Sequence, residues 1–178
     1  MRVITGSARG RKLITLEGSD VRPTTDRVKE ALFSIVQFDL PGATVLDLFA
    51  GSGQLGIEAL SRDASKAVFV DKSKKSIDIV AENISSVGFE DRSRIVNMDS
   101  VDFLCSTDEQ FDIAFLDPPY NCGILEKVLP ILEQHMNQGG KIICEHEKQL
   151  RLPDKIGRLY LKKIYKYGKI EVSQYVCE

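Results

Sequence analysis

With 178 residues and a formal net charge of −2, the chain is long enough to bury one continuous core in a single domain. Its apolar fraction of 43% and charged fraction of 28% are those of a globular protein, and no apolar run approaches the ~20 residues that span a bilayer. Cys105, Cys122, Cys144 and Cys177 are scattered without a Cys-x-x-Cys pair, which argues against a disulfide framework or a structural zinc site. The opening MRVITGSARGRK has no apolar stretch of the leader type, so the expected setting is the cytoplasm, with no membrane partner and reduced thiols. Charge is unevenly placed. Residues 1–12 hold Arg2, Arg9, Arg11 and Lys12 with no acid. Residues 151–169 hold Arg151, Lys155, Arg158, Lys162, Lys163, Lys166 and Lys169 against Asp154 alone. Phosphate responds to the local field, so the near-neutral total does not exclude a nucleic acid; ordinary solvated faces are the plainer explanation.

In chain order, residues 1–22 carry short β-like pieces, Val3-Ile4-Thr5 and Leu13-Ile14-Thr15-Leu16, around a basic glycine turn. A helix is predicted over Thr25–Val36, where Val28, Ala31, Leu32 and Ile35 share a face after Pro23. From residue 43 strands alternate with helices. Strands are predicted at Thr44–Phe49, Ala67–Asp71, Arg94–Asp99, Phe111–Leu116 and Lys141–Glu145. Ile77, Val80, Ala81 and Ile84 mark one amphipathic helix between them. Leu125, Val128, Leu129 and Leu132 mark another, with Pro130 as a kink or break. Continuous apolar strands separated by helices mean an α/β fold with a parallel sheet covered on both faces. Leu159–Tyr165 and Ile170–Val176 alternate around Tyr167-Gly168 and predict an antiparallel hairpin at the sheet edge, giving seven strands in all. The expectation is one domain over 1–178, with an N-terminal extension and helix at 1–42 and a core at 43–178.

Gly51-Ser52-Gly53-Gln54-Leu55-Gly56 fits G-x-G-x-x-G directly after a strand, where glycines permit a tight turn and close approach of a ligand. Asp71 follows Gly51 by 20 residues at the second strand end, where a carboxylate can accept from ribose hydroxyls. This much suits a dinucleotide equally well. Asp47 and Asp99 discriminate. A pyrophosphate would be repelled by Asp47 just before the turn, whereas a cationic aminoacyl-sulfonium would be attracted; Asp99, ending the third strand, can accept from an adenine amino group. S-adenosylmethionine has the amine, the ribose and the adenine, and no phosphate. Simple capping of strand ends is the alternative role for all three acids.

Asp117-Pro118-Pro119-Tyr120 ends the fourth strand. The exocyclic amine of a base is a poor nucleophile because its lone pair is delocalised into the ring. Two acceptors on its two N–H bonds redirect that lone pair, and Asp117 with the carbonyl of Pro118 supplies such a pair on a turn stiffened by prolines. Tyr120 can stack on an extruded base. Other residues are declined. Glu145-His146-Glu147 reads as a surface trio at a strand end rather than a metal cluster, because alternate strand residues face opposite sides. Cys122 has no evident base partner, and the tail tyrosines Tyr160, Tyr165, Tyr167 and Tyr175 read as packing or decorating the hairpin.

These segments, in the order RVITGSARGRKL, VRPTTDRVKEALFSI, VLDLFAGSGQLGIEALSR and FDIAFLDPPY, resemble nearly end to end the RsmD family of class I S-adenosylmethionine-dependent methyltransferases. The run Arg22 to Arg27 is the more specific marker; Gln54 stands where a small residue is expected. The resemblance implies a Rossmann-like fold and methylation of N2 of a guanine in 16S rRNA, at the guanine-966-type site. The substrate would be a partly assembled small ribosomal subunit, with ribosomal proteins contributing to recognition. It implies S-adenosylmethionine as cofactor, S-adenosylhomocysteine as product, and no metal. Asp47, Phe49, Gly51, Ser52, Gly53, Asp71, Asp99 and Ser100 would bind the cofactor; Asp117, Pro118 and Tyr120 would present the amine. Arg9, Arg11, Arg22 and Arg27 would meet RNA phosphate or order the N-terminal segment over the site. An adenine-N6 methyltransferase, a non-catalytic RNA-binding assembly factor and a nicotinamide oxidoreductase are the competing readings.

Overall fold

The structure is a computed structural model and describes residues 1–16, 26–120 and 123–178. Five parallel strands form its centre: β1 (Thr44–Asp47), β2 (Lys66–Asp71), β3 (Ser93–Asn97), β4 (Phe111–Leu116) and β5 (Met136–Glu147). Three further strands, β6 (Lys155–Ile156), β7 (Leu159–Tyr167) and β8 (Ile170–Cys177), complete an eight-stranded sheet of order β3-β2-β1-β4-β5-β8-β7-β6. The expected antiparallel hairpin is β7–β8, and β8 joins β5 antiparallel from Lys141↔Val176 to Glu147↔Ile170. The eighth strand, β6, has two residues paired to Leu159 and Tyr160, too few to show any periodicity in sequence. The β-like N-terminal pieces form no strand among the described residues, and the residues just before them, Arg2 and Lys12, make an isolated antiparallel bridge.

The helices are α1 (Asp26–Val36), α2 (Gln54–Ser61), α3 (Lys74–Val87), α4 (Ser100–Ser106) and α5 (Ile124–Leu132). Pro130 is held inside α5, which ends two residues later. Sequence periodicity had no purchase on α2, whose eight residues are all buried, or on α4, which has only seven. One face of the sheet packs Val45, Phe69, Phe115 and Val172 against α1, α2, α3 and the N-terminal arm. The other packs Leu46, Val68, Leu116 and Tyr175 against α4 and α5. Among the described residues no helix is long and apolar enough to cross a membrane.

β1 is flanked by β2 on one side and β4 on the other, so strand order reverses there. In such sheets a crevice opens at the carboxyl ends of the strands on either side of the reversal.

Candidate active site

Register brings the predicted acids to that crevice. Asp47 ends β1 opposite Phe69 and Phe115; Asp71 and Asp117 each stand two residues further along the neighbouring strands. One strand spacing, ~4.8 Å, separates each from the β1 line. The chain after β1 stays clamped between its neighbours: Leu48 N–H donates to Phe115 O at 3.1 Å and Ala50 N–H to Val70 O at 3.0 Å. It then turns through Gly51 at φ +56° and Gly53 at φ +78°, which side chains resist. Gly56 serves a different need: a Cβ there would stand 2.3 Å from the buried Phe69 ring, so α2 can sit this close to β2 only without one.

Asp47 is almost fully buried and accepts from Gly56 N–H at 2.9 Å. Burial pushes its carboxyl up to about 7, assisted by the nearby Asp71 charge and opposed by the Gly56 bond. A cation reaching this carboxylate would favour its ionised form. Asp71 braces two turns, accepting from Gly51 N–H at 2.9 Å and from Ser73 N–H at 2.8 Å. Each carboxylate oxygen has a second lone pair, so this bracing leaves acceptor capacity. Asp99 caps α4, accepting from Val101 N–H at 2.9 Å, and carries Ser100 as the buried first residue of that helix. Capping is therefore part of what Asp71 and Asp99 do.

Phe49 is half-buried against the α4–α5 side of the core. The Ser52 carbonyl accepts from Asn83 Nδ2 at 2.9 Å, and the same Asn83 amide exchanges bonds with Ile14 of the arm. Ser52 thus joins glycine turn, α3 and N-terminal arm. Asp117 and Tyr120 are half-buried, Pro118 is buried and Pro119 exposed. The Tyr120 hydroxyl donates to Glu145 Oε1 at 2.9 Å, fixing the ring at its far end.

The basic candidates are less concentrated. Arg9 sits at the tip of the arm, where Ser7 N–H meets Ser61 O at the last residue of α2, about 12 Å down that helix from Gly53. The Arg11 guanidinium donates to Ser86 O at 2.6 Å on α3. Arg27 lies in the first turn of α1. Arg22, with Cys122, lies outside the described residues.

Glu145-His146-Glu147 differs from the expected surface trio. Glu145 and His146 are 6% and 2% exposed, and they face opposite sides, Glu145 toward Tyr120 and His146 toward Ser173 Oγ at 2.8 Å. Sequence reasoning missed them because charge was taken to mean surface. The signal was an acid that continues the apolar run of β5 without a turn residue before it. Glu58 was missed too. It is fully buried on α2, accepts from Ile4 and Thr5 N–H at 2.8 and 2.9 Å, and pairs with Lys29 at 3.3 Å and Arg62 at 2.9 Å. A depression of about 300 Å³ bordered by Asp39, Asp112 and Lys141 lies at the opposite, amino edge of the sheet, away from all of these groups.

Comparison with known proteins bears on this arrangement. Residues 1–176 match the family described as conserved hypothetical protein 95. The chain is 37% identical over 180 residues to YlbH of Bacillus subtilis, a candidate rRNA methyltransferase, covering 98% of each chain. It is 38% identical over 155 residues to ribosomal RNA small subunit methyltransferase D of Escherichia coli, covering 86% of this chain and 78% of that one. A solved Escherichia coli structure, the candidate methyltransferase yhhF, superposes with a TM-score of 0.90 at 33% identity, over 100% of this chain and 98% of that one.

Proposed function

We propose, from the premise that the chain belongs to the conserved hypothetical protein 95 family, the RsmD family of class I rRNA methyltransferases, that it methylates the N2 amine of a guanine in 16S rRNA. The observation that carries this reading is the pairing of Asp47 with Phe115, which sets a buried carboxylate under a glycine turn beside Asp117 on the next strand end. Two acids and a glycine turn suit a cationic nucleoside and disfavour a pyrophosphate. S-adenosylmethionine fits that donor set and, when bound, supplies a methyl group on a positively charged sulfur.

The protein's own part is binding and alignment. Asp47 favours an ammonium group from a water-poor position, where attraction is stronger than in solvent. Asp71 and Asp99, already held by backbone bonds, offer their remaining lone pairs to ribose and adenine at little reorganisation cost. Phe49, Gly51, Ser52, Gly53 and Ser100 complete the wall. Asp117 and the Pro118 carbonyl accept the two N–H bonds of the target amine, turning its lone pair toward the methyl group. Tyr120, tethered through its hydroxyl to Glu145, presents its ring to the base. That the base is a guanine of partly assembled small subunits rests on family membership.

The test is transfer of labelled methyl from S-adenosylmethionine to small ribosomal subunits that lack native methylation, followed by nucleoside analysis. N2-methylguanosine in the 16S RNA is expected. N6-methyladenosine would overturn the base assignment, and cofactor binding without transfer to any RNA would favour a non-catalytic assembly role.

A further inference from the structure

The basic C-terminal hairpin takes no part in the site described above. β7 pairs with β8 along its length, but among the described residues its outer side is covered only where β6 meets Leu159 and Tyr160 and where Leu161 N–H donates to Asp154 O at 2.8 Å. Beyond that point the strand forms the margin of the sheet. Lys162, Lys163 and Lys166 on this margin and Lys169 in the turn are all exposed. Among the described residues none of the four has an ion-pair partner. The one acid opposite them, Glu171 across from Lys166, is buried and paired at 3.7 Å with Arg151. Lys163 rests its ammonium 4.8 Å over the Tyr165 ring, and Tyr165 donates to Gln174, so Lys163 is ordered on the Val172 face while Lys166 projects from the opposite face of the same open margin.

Position matters as much as charge. Glu147, at the carboxyl end of β5, pairs with Ile170, and Ile170 pairs with Tyr167, so the hairpin turn stands at the same sheet edge as Asp47 and Asp117. Leu116 is level with Cys144, which makes Asp117 level with Glu145, Val172 and Tyr165. Three strand spacings, about 14 Å, separate the Asp117 line from the lysine strip. Tyr120 and Glu145 stand between them.

We infer that the β7 margin and the β7–β8 turn are a docking surface for the sugar–phosphate backbone of the RNA flanking the target base, with Lys163, Lys166 and Lys169 as its phosphate contacts. The inference rests on the RNA-methylating reading above. Lysines on an uncovered strand also discourage pairing between copies of a protein, and that is the competing explanation.

The experiment compares wild type with the triple variant K163E/K166E/K169E on unmethylated small subunits, measuring subunit affinity against salt, KM and kcat, and S-adenosylmethionine affinity. The expected result is at least a tenfold loss of subunit affinity and a matching rise in KM. The salt dependence should be shallower by about 2 in log–log slope. Cofactor affinity and kcat at saturation stay unchanged, and the Lys→Arg triple variant restores binding. Wild-type transfer with an unchanged KM in the triple variant would overturn the docking surface alone; no transfer by wild type would overturn the functional reading. If the glutamate variant self-associates, the Lys→Gln triple variant measured as a monomer decides: wild-type subunit affinity there would leave only the guarding role.

Discussion

At the scale of single residues, one carboxylate of the candidate site, Asp47, stands where water cannot offset the cost of its charge. Asp47 makes this measurable. Its carboxyl is pushed from 3.8 up to about 7 in the ligand-free protein, chiefly by burial. The folded state therefore binds more protons than the unfolded chain between about pH 4 and 7. Stability from this group is fully present below pH 4, falls as pH rises through that window, and is lost above 7. Asp47→Asn keeps an acceptor for Gly56 N–H and removes the titration. The variant should lose that slope and exceed wild-type stability at pH 8 by on the order of 4 kcal/mol, while binding S-adenosylmethionine more weakly. Denaturant titrations from pH 4 to 8 check this, and parallel curves for the two proteins would refute it. In the wild type, cofactor affinity should weaken as pH falls below about 7, because a cation requires the ionised carboxylate.

At the scale of elements, the N-terminal arm is held by one buried hub. Glu58 receives two backbone N–H groups from the arm, the Lys29 ammonium and the Arg62 guanidinium, and Lys29 in turn donates to Arg2 O at 2.6 Å. Burial holds the Lys29 ammonium below its usual range and Glu58 opposes that shift, so removing Glu58 strands a buried amine. Glu58→Ala should cost about 3–5 kcal/mol and open residues 1–16 to protease, whereas Lys29→Met with Glu58→Leu should recover part of the loss. Equal stability of the single and double variants would show that the pair is not coupled. The sequence concealed this hub, because Gln54, Glu58 and Ser61 recur on α2 at the i, i+4, i+7 spacing of a solvent face, whereas all three are buried and Glu58 and Ser61 bond the arm. Elements with one wet face were legible: α1 and the β7–β8 hairpin fall within a residue or two of their periodic patterns. α3 extends past its apolar stripe because Ser73 caps its start and Gly88, at φ +76°, ends it.

At the scale of the whole molecule, topology does most of the assembly. The common edge of Asp47, Asp71 and Asp117 was legible because each ends or follows an apolar strand, and parallel strands deliver their carboxyl ends to one edge. The arginines were less legible in position, since charge in a loop carries no period; Arg9 lies toward the far end of α2 and Arg11 is bound to α3. Glu145 read as surface because its partner, Tyr120, is 25 residues away along the chain. The proposed function divides the labour across the β1–β4 reversal, cofactor on one side and target amine on the other. Asp117→Ala tests it most directly, with methyl transfer and S-adenosylmethionine affinity measured on the same preparation. The division predicts transfer reduced by about 10²–10³-fold with cofactor affinity unchanged. Full activity in the variant, or loss of cofactor binding in step with transfer, would contradict it.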